Sequence, residues 1–518
     1  MTAGMDVFRE AILPQRTRLV GTARLVAEYG LAVPVREPSV VSDGSVRGSR
    51  REEDGWTVFD KRYAPGDDFA SQLGFSIRHE PFDLLFLKRL FAAVGRQPVE
   101  EMVRSEPTGS TARKVWYLYE TLTGETLDIP DAKAGNYVEV LDPAQYFTAR
   151  ARMSPRHRVR DNLLGTPAFC PVIRRTEELA DFVGSRWDTQ AREKVGRISD
   201  AVVARAASFL LLADSQASYQ IEGERPPRNR LERWMKVVEQ AGRRPLSVGE
   251  LERLQAIVVE GDRFITPGLR QEGGFIGQRD YDNNPLPEFI SARHEDVREL
   301  LEGILEANAR MTEAGVDAVL QAACTAFGFV FVHPFEDGNG RVHRYLMHHV
   351  LAESRFTPVG VTFPISSVLL DRQEEYGKRL REFSAPLLPF IEWVPTERKN
   401  VRVLNETADL YRYGDYTELA GFLYRCVART ISEDLPREIS YLKAFDAARE
   451  GISASIEMPD NTLSLLINLV RQNGGSLARK RRENEFRMLT DDEVAFVEET
   501  VREAFGDHDD RTWEGPGP

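Results

Sequence analysis

The chain has 518 residues, which is too long for one compact core, so about two to four domains are expected. Apolar residues make up 42% and charged residues 29%, an ordinary balance for a globular protein. The formal net charge of −13 argues against a general nucleic-acid binder, because broad contact with phosphates requires positive charge.

The cysteine count and the hydropathy pattern indicate the cellular compartment in which the protein is expected. The three cysteines, Cys170, Cys324 and Cys426, show no CxxC spacing, so neither a disulfide framework nor a cysteine zinc site is expected. The N-terminal segment lacks the apolar core of a signal peptide. No apolar run reaches the ~18 residues that a membrane helix needs. We therefore expect a cytoplasmic protein with no membrane span.

The N-terminal region, 1–175, combines polar and helical stretches. Residues 36–55 are rich in Ser, Gly and mixed charge, which predicts a loop or mobile segment. From Pro81 the pattern turns helical, because "PFDLLFLKRLFAAVG" and "ARKVWYLYETLTG" each combine an apolar stripe with a terminal glycine. Irregular structure is predicted for 123–143 and 156–176. We expect this region to be mostly helical and assign it no role.

The central region, from Glu177 to about Lys399, is largely helical in pattern. Residues 201–223, "AVVARAASFLLLADSQASYQIEG", predict a long helix that a glycine ends. Ser247 and Glu250 have the spacing of a capping box at the start of another helix. Together these segments predict an all-α, mainly helical fold class with a central bundle.

Two further stretches complete the predicted elements. Residues 273–292 carry Gly, Asp, Asn and Pro between apolar pieces, which is typical of a β-hairpin. Residues 400–505 again predict helices, with Thr490 and Glu493 spaced as a cap. The final residues, 506–518, are expected to be disordered.

The segment "FVHPFEDGNGRVHR", residues 331–344, concentrates reactive and charged residues. Its "GNG" predicts a tight turn, because glycine adopts backbone angles that other residues avoid. The residues that follow predict a helix. Loop amides and a helix N-terminus therefore point at one spot, which favours binding of a phosphate.

The side chains in this segment suit a nucleotide. Arg341 and Arg344 are three residues apart, so both can lie on one helix face and reach phosphate oxygens. Asp337 offers hard oxygen ligands for a Mg²⁺ ion shared with phosphates. His333 has an ordinary pKa of about 6.5 and can act as a general base near neutral pH. A lone histidine or a lone "GNG" would indicate only structure, whereas their joint occurrence favours function.

This segment resembles the Fic motif, HPFx(D/E)GNGRxxR, at every specified position. The resemblance implies a helical bundle that transfers AMP from ATP to a protein hydroxyl, with Mg²⁺ as the companion ion and pyrophosphate as the leaving group. In that family His333 would be the catalytic base, and Asp337 would hold the metal. Phe335 would fix the loop by packing into the core.

The resemblance also implies which residues bind the nucleotide. In the motif these are Asp337, Gly338, Asn339, Gly340, Arg341 and Arg344. The amides of 338–340 would hold the phosphates, and the two arginines would neutralise them. A related phosphorylating subgroup carries Lys in place of the second glycine, and Gly340 argues against that variant.

Two other stretches are similar to parts of the family. Residues 268–278 resemble the entry to the family's flap, which implies nucleotide contacts for Gly274, Phe275, Ile276 and Gly277. The flap usually binds a target protein by strand addition, reading its backbone. Downstream, "DRQEEYGKRLREF" is similar to the helix whose tyrosine approaches adenine, so Tyr376 is a candidate. The alternative is an ordinary tyrosine of an amphipathic helix.

An inhibitory motif of the family, (S/T)xxxE(G/N), is matched by "SYQIEG". Ser218, Glu222 and Gly223 occupy its fixed positions. Ser218 and Glu222 are four residues apart and would be neighbours on one helix face. Glu222 would reach Arg344 and occupy the arginine needed by the γ-phosphate. The alternative is a solvated glutamate near a helix end.

The resemblance covers residues 190–395, including the inhibitory helix. The N-terminal region, a C-terminal helical domain at 400–505 and the tail at 506–518 are not explained by it. The basic run 479–482 is expected to be a solvated helix end, and nucleic acid is not an expected partner. ATP and a target protein are expected partners, and a homodimer is compatible with the sequence.

Three classes of function fit the sequence. The first is a self-inhibited protein adenylyltransferase that uses ATP and Mg²⁺. The second is a hydrolase that removes AMP from a modified protein in the same pocket. The third is a nucleotide-sensing regulator whose terminal domains bind a partner or DNA. Incubation with a pre-modified target would separate the first two, and a DNA-binding assay would reveal the third.

Overall fold

The computed structural model describes residues 7–260 and 263–506 of the chain. The tail predicted to be disordered, 506–518, lies outside the described residues except for Gly506. Within the described residues the fold is mainly helical, as the sequence predicts, and small sheets accompany the helices.

The N-terminal stretch mixes short strands with helices. In chain order these are β1 (Val7–Phe8), β2 (Ala11–Ile12), β3 (Thr17–Leu19), α1 (Gly21–Tyr29), β4 (Ser39–Ser42), β5 (Arg50–Glu53), β6 (Trp56–Phe59), a 3₁₀ turn (Lys61–Tyr63), α2 (Phe69–His79), α3 (Leu84–Val94), α4 (Arg96–Ser105), α5 (Ser110–Thr123), β7 (Val138–Glu139), β8 (Arg152–Ser154), β9 (Val159–Asp161), β10 (Cys170–Val172) and α6 (Glu177–Gly184).

The middle of the chain is dominated by helices and carries one hairpin. Its elements are α7 (Trp187–Gly196), α8 (Asp200–Gln220), α9 (Arg228–Glu239), α10 (Val248–Val258), β11 (Phe275–Arg279), β12 (Pro285–Ile290), α11 (Val297–Ala314), α12 (Ala318–Val332), α13 (Asn339–Glu353) and α14 (Ile365–Asp371).

The C-terminal part adds a second hairpin and further helices. Its elements are α15 (Gln373–Ser384), a 3₁₀ helix (Ala385–Phe390), β13 (Trp393–Pro395), β14 (Val401–Val403), α16 (Ala408–Arg412), β15 (Tyr413–Asp415), α17 (Thr417–Arg429), a π-helical turn (Thr430–Asp434), α18 (Leu435–Ser453), α19 (Asp460–Gln472), α20 (Arg479–Asn484) and α21 (Asp491–Phe505).

The segment 36–55, predicted to be a loop or mobile segment, instead contributes two strands to a four-stranded sheet of order β3-β4-β6-β5. Strand β4 pairs with β3 antiparallel and with β6 in parallel, and β5 pairs with β6 antiparallel. The prediction was wrong because its Ser, Gly and Arg content masked a short buried strand, β4. Strand β5 is an exposed, charged edge, which is a common way to protect a sheet edge.

The chain divides into two compact units, each built from separate stretches. The first comprises Met1–Ser185, Ala241–Ser354 and Arg372–Tyr424, and the second comprises Arg186–Gln240, Arg355–Asp371 and Arg425–Pro518. The linear division predicted from the sequence into regions 1–175, 190–395, 400–505 and 506–518 stays a prediction.

The first unit is organised around α12, whose residues are all buried except Val330. The helix begins at Asp317, because this carboxylate accepts hydrogen bonds from the amides of Val319 and Leu320. Helices α11 and α13 pack against α12. Burial of this apolar helix stabilises the unit, since stabilisation scales with the apolar area removed from water.

The second unit has two helical clusters. Helix α8 packs against α14 and α18, and the buried carboxylate of Asp214 accepts a 2.7 Å hydrogen bond from the amide of Ser366. Helices α18, α19 and α21 enclose a separate apolar core. Among the described residues, no helix is long and apolar enough to cross a membrane.

Candidate active site

The motif loop connects α12 to α13 and is closed by its own asparagine. Helix α12 ends at His333, which has a left-handed backbone (φ 52°). The side chain of Asn339 is buried and forms two hydrogen bonds with one residue: its Oδ1 accepts from the amide of Phe335 at 3.0 Å, and its Nδ2 donates to the Phe335 carbonyl at 2.8 Å. The Asn339 side chain therefore shapes the loop, and only its backbone can face a ligand.

Gly338 supplies the backbone angle that starts α13. Its φ is +88°, and a Cβ there would lie 3.1 Å from a methyl group of Val258 on α10. Both the left-handed conformation and this close approach favour glycine. Phe335 is buried and its ring lies 5.9 Å from that of Phe329, so it fixes the loop in the core as the sequence analysis expected.

A second segment, 266–270, runs along the motif loop, and the sequence analysis did not predict this contact. The amide of Arg270 donates to the carbonyl of Pro334 at 3.0 Å, and Leu269 bridges antiparallel to Phe335. The amide of Thr266 donates to the carboxylate of Glu336 at 2.9 Å. The loop is therefore held from outside as well as by Asn339.

Arg270 is the strongest of these supports. Its guanidinium is buried and donates to backbone carbonyls, among them that of His333 at 2.7 Å and that of Glu272 at 2.6 Å. Burial lowers the pKa of Arg270 to about 10. A sequence signal was present, since Arg270 lies in the stretch that resembles the flap entry, but its partner His333 is distant in the chain.

Gln255 is a second support that sequence reasoning missed. It lies on α10 and is fully buried. Its Nε2 donates to the carbonyl of Asp337 at 3.3 Å, and its Oε1 accepts from the amide of Gly268 at 3.1 Å. One side chain thus joins the motif loop to the segment before the flap.

The contacts of His333 define which ring nitrogen can act as a base. Its Nδ1 lies 3.3 Å from the carbonyl oxygen of Val330. A carbonyl can only accept, so Nδ1 carries the proton, and the lone pair of the neutral ring is on Nε2. The residue is half-buried, and the ring of Phe289 on β12 lies 6.4 Å away in an edge arrangement.

The start of α13 forms an electropositive site. The first amides of a helix have no intrahelical partner, and the helix dipole favours an anion at this end. Arg341 and Arg344 are both buried on this helix. The guanidinium of Arg341 lies 3.1 Å from both carboxylate oxygens of Asp337. Asp337 also accepts from the amide of Gly338 at 2.6 Å, which orders the loop locally.

Asp337 fits a magnesium ion that arrives with phosphates. Its side chain remains partly exposed, and Mg²⁺ at phosphate sites commonly uses one or two carboxylates together with substrate oxygens and water. No group of three or more acidic, histidine or cysteine ligands occurs among the described residues.

The predicted hairpin is confirmed, and its register is now defined. Strands β11 and β12 pair antiparallel, with Phe275 opposite Ile290 and Arg279 opposite Pro285. A bulge lies between Ile276 and Gly277. A Cβ on Gly277 would lie 2.3 Å from the carbonyl oxygen of Leu286, so the strands approach more closely here than any side chain would permit.

The hairpin is anchored at its base. The carbonyl of Gly274 accepts from both the amide and the hydroxyl of Ser291, at 2.9 and 2.8 Å. The turn between β13 and β14 also touches the hairpin: Asn400 donates to the carbonyl of Gly273 at 2.7 Å, and Lys399 donates to Asn284 at 2.8 Å. The flap is therefore held by a second hairpin that the sequence analysis did not predict.

Tyr376 lies in an aromatic stack. It is buried on α15, and its ring is stacked near those of His343 and Phe422, at 6.2 and 6.1 Å. His343 is fully buried, and its Nδ1 bonds to the Ala326 carbonyl at 2.7 Å. Burial lowers the pKa of His343 to about 3, so it stays neutral. These contacts favour a packing role for Tyr376, and its contact with adenine stays a prediction.

The residues of the inhibitory motif lie in the second unit. Ser218 is buried in α8, but the helix ends at Gln220. Glu222 is exposed in the turn that follows, and Gly223 is left-handed there (φ 73°). The expectation that Ser218 and Glu222 share a helix face was therefore wrong, because the helix ends before residue 222.

The motif loop joins two helices of a bundle and leads into the N-terminus of α13, and comparison with known proteins assigns that bundle. Residues 245–351 match the family model described as Fic/DOC family. The chain therefore contains a domain that matches the Fic/DOC family, and the matched residues include the motif loop, the flap and the supporting helix α10.

Two curated proteins are similar over part of the chain. The protein adenylyltransferase Fic of Nematostella vectensis is 33% identical over 90 residues, which cover 17% of this chain and 18% of that protein. The protein adenylyltransferase fic-1 of Caenorhabditis elegans is 31% identical over 106 residues, 20% of each chain. The matched residues thus span about a fifth of the length of these relatives.

Two solved structures also show a likeness. One is a Fic domain-containing signaling protein from Bacteroides thetaiotaomicron, with 16% identity and a TM-score of 0.34, covering 52% of this chain and 97% of that one. The other is a Fic family protein from Desulfovibrio desulfuricans, with 17% identity and a TM-score of 0.34, covering 60% and 87%.

Proposed function

We propose that this protein transfers AMP from ATP to a hydroxyl group of a target protein. The observation that carries the proposal is the position of His333. Its Nδ1 proton is held by the Val330 carbonyl, which leaves Nε2 as the acceptor beside a loop that leads directly into a helix N-terminus. A base for the hydroxyl and a site for phosphates therefore belong to one short, well-fixed segment.

The transfer can be written with this chain's residues in defined roles. The target hydroxyl oxygen attacks the α-phosphorus of ATP and forms a new P–O bond, while the bond to the pyrophosphate oxygen breaks. The hydroxyl proton passes to Nε2 of His333. Amides of the first turn of α13, with Arg341 and Arg344, stabilise the charge on the phosphates. Magnesium bound with the nucleotide would be held by Asp337 and would neutralise the leaving pyrophosphate.

The rigidity of the loop supports this proposal. Group transfer of this kind depends mainly on positioning and electrostatic stabilisation. Asn339, Arg270 and Gln255 together hold the loop through side-chain bonds to its backbone. Bonds of this kind hold the backbone of the loop in place, and a fixed loop reduces the ordering that nucleotide binding requires.

The flap supports a protein as the acceptor. Ile276, Tyr281 and Leu286 are exposed on the hairpin, and exposed apolar side chains commonly mark a docking surface. Phe289, on the same hairpin, lies beside the ring of His333. A target strand added to the hairpin would thus bring its hydroxyl close to the base.

We propose that the protein works in the cytoplasm. We further propose that Glu222 restrains the transfer of AMP. The restraint rests on the inhibitory motif, in which Glu222 follows a long helix and precedes a left-handed glycine. The turn leaves the carboxylate of Glu222 exposed, and a carboxylate can compete with a phosphate for an arginine side chain.

The test compares variants for labelling of proteins by an AMP-tagged ATP analogue. The Glu222→Gly variant is expected to label protein substrates in a lysate more strongly than the parent does. The matched control is Glu224→Gly, two residues further along, which should not change labelling. Adding His333→Ala to Glu222→Gly should abolish labelling while ATP binding persists.

Two results would contradict the proposal in different ways. Equal labelling by the parent and the Glu222→Gly variant would remove the restraint but not the transfer. Full labelling by the variant that also carries His333→Ala would remove the assigned base, and with it the mechanism.

A further inference from the structure

A cavity lies in the N-terminal part of the first unit, outside the residues that match the Fic family model. Its volume is about 540 Å³. Its walls are the edge of the four-stranded sheet, the end of α2, the start of α5 and the segment after β7. The cavity is larger than a single ion needs and matches a small organic molecule.

The carboxylates that line the cavity already have contacts within the protein. Each one accepts a hydrogen bond or forms an ion pair with a neighbouring group. The pairs are Glu37 with Arg174 (3.0 Å), Glu80 with the amide and hydroxyl of Thr22 (2.8 and 2.6 Å), Asp142 with the amide of Ala144 (2.9 Å), and Glu52 with the hydroxyl of Thr57 (3.2 Å). Both bonds of Glu80 go to Oε2, and its buried Oε1 has no hydrogen-bond partner among the described residues. Burial raises the pKa of Glu80, which favours its uncharged form.

Arg174 on the cavity wall is paired with Glu37, but three other cationic side chains of the lining have no such pair among the described residues. Arg50, Arg78 and Lys114 line the cavity, and none forms an ion pair or a side-chain hydrogen bond with another residue in the part of the chain that the structure describes. Lys114 is half-buried on α5. Burial lowers the pKa of Lys114, and the more distant charges of Asp142 and Glu139 oppose that effect. An anion entering here would meet donors that have no competing partner.

One wall of the cavity is aromatic. Phe59, Tyr63 and His79 form a cluster in which the Tyr63 and His79 rings are 5.3 Å apart and the Phe59 and Tyr63 rings 5.9 Å apart. Burial, and then the charge of Arg78, lower the pKa of His79, so its ring is neutral near pH 7. A neutral aromatic wall offers stacking surface to a planar ring.

We propose that this cavity binds an anionic metabolite that carries a planar ring and is about the size of a mononucleotide. Lys114 and Arg78 bind the anionic group, which is a phosphate or a carboxylate. The ring lies against Tyr63 and His79. The N-terminal region, which the Fic match does not cover, thereby acquires a ligand site that is separate from the motif loop.

Hydrogen exchange of the full chain, read by mass spectrometry, tests the proposal and separates the two sites in one experiment. The probes are AMP, adenosine and inorganic phosphate. AMP is expected to slow exchange in peptides covering 48–63, 77–82 and 140–146. Adenosine lacks the anion and phosphate lacks the ring, so each should protect these peptides less. Benzoate, which joins a carboxylate to a ring, distinguishes the carboxylate source from the phosphate source.

Lys114→Gln is the informative variant. It should weaken AMP protection of these three peptides about tenfold or more, and protection around residues 333–344 should not change. Lys133→Gln removes an exposed lysine outside the cavity and should leave both responses intact.

These outcomes test the cavity proposal independently of whether the protein transfers AMP. No protection of the three peptides by AMP or benzoate at millimolar concentration overturns it. So does protection by AMP that Lys114→Gln does not reduce. If Lys114→Gln misfolds, Arg78→Gln, which changes an exposed residue, provides the same comparison.

Discussion

Asn339→Ala removes the side chain that closes the motif loop. In the parent, Oδ1 accepts from the amide of Phe335 at 3.0 Å and Nδ2 donates to the carbonyl of the same residue at 2.8 Å. Asn339 is 2% exposed, so water cannot readily replace either bond. A buried backbone group left unsatisfied costs about 1–3 kcal/mol. Two such groups therefore predict a loss of about 2–6 kcal/mol in local stability.

Hydrogen exchange at the Phe335 amide measures this loss directly, because the substitution removes the acceptor of that amide, Asn339 Oδ1. Each 1.4 kcal/mol corresponds to about a tenfold change, so the amide should exchange at least about tenfold faster. Asn136→Ala, at an exposed position, is the control and should change stability by less than about 0.5 kcal/mol. Unchanged exchange at Phe335 in the Asn339→Ala variant would refute the reasoning.

Three other predictions concern packing, pH and the flap. Arg310→Met breaks a 2.9 Å ion pair and leaves the buried carboxylate of Asp161 without its cation, so thermal unfolding should report a loss of about 3–5 kcal/mol in stability. The control Arg152→Met breaks an exposed ion pair and should cost under about 1 kcal/mol. Equal losses in the two variants would contradict this prediction. Burial raises the pKa of Glu438 to about 7, so the folded state holds a proton that the unfolded state releases near pH 4.5. The free energy of unfolding should therefore fall by up to about 3 kcal/mol as pH rises from about 4.5 to 7, and it should level off above about pH 7. In melting temperatures measured across this pH range, Glu438→Gln should abolish the fall. A fall that persists in the variant would exclude Glu438 as its source. Asn400→Ala removes the 2.7 Å bond to the flap base, so amides in residues 275–290 should exchange faster while those in α12 do not, and an unaltered flap would show that the second hairpin does not hold it.

The residue types of the motif were sufficient to predict its local geometry. Glycine at residue 338 and the apolar run before His333 predicted a helix, a tight turn and a second helix, and the structure has α12, a left-handed Gly338 and α13. These features depend on neighbours in the chain, which a sequence displays directly.

The supports of the loop could not be predicted in the same way. Arg270 and Gln255 bind backbone atoms of His333 and Asp337, and their importance depends on contacts between distant parts of the chain. A single sequence shows neither the proximity nor the burial that makes these bonds strong. The register of the flap was likewise undefined until the pairing of Phe275 with Ile290 was seen.

The N-terminal sheet shows a different limit. Strand β4 has only the residues Ser39–Ser42, which is too short for an alternation pattern to stand out. Its stability comes from pairing with β3 and β6 on both sides and from burial of Val40 and Val41. Local composition at 36–55 indicated a loop, and tertiary pairing overrode it.

The central claim is that His333 and the adjoining loop transfer the α-phosphoryl group of ATP, as AMP, to a protein. The most direct measurement incubates the Glu222→Gly variant and a lysate with ATP labelled either at the α- or at the γ-phosphate, with Mg²⁺. The account predicts that α-label becomes covalently attached to protein, that γ-label does not, and that His333→Ala in the same background removes the signal. Attachment of γ-label, or α-label that persists in the absence of the imidazole, would contradict it.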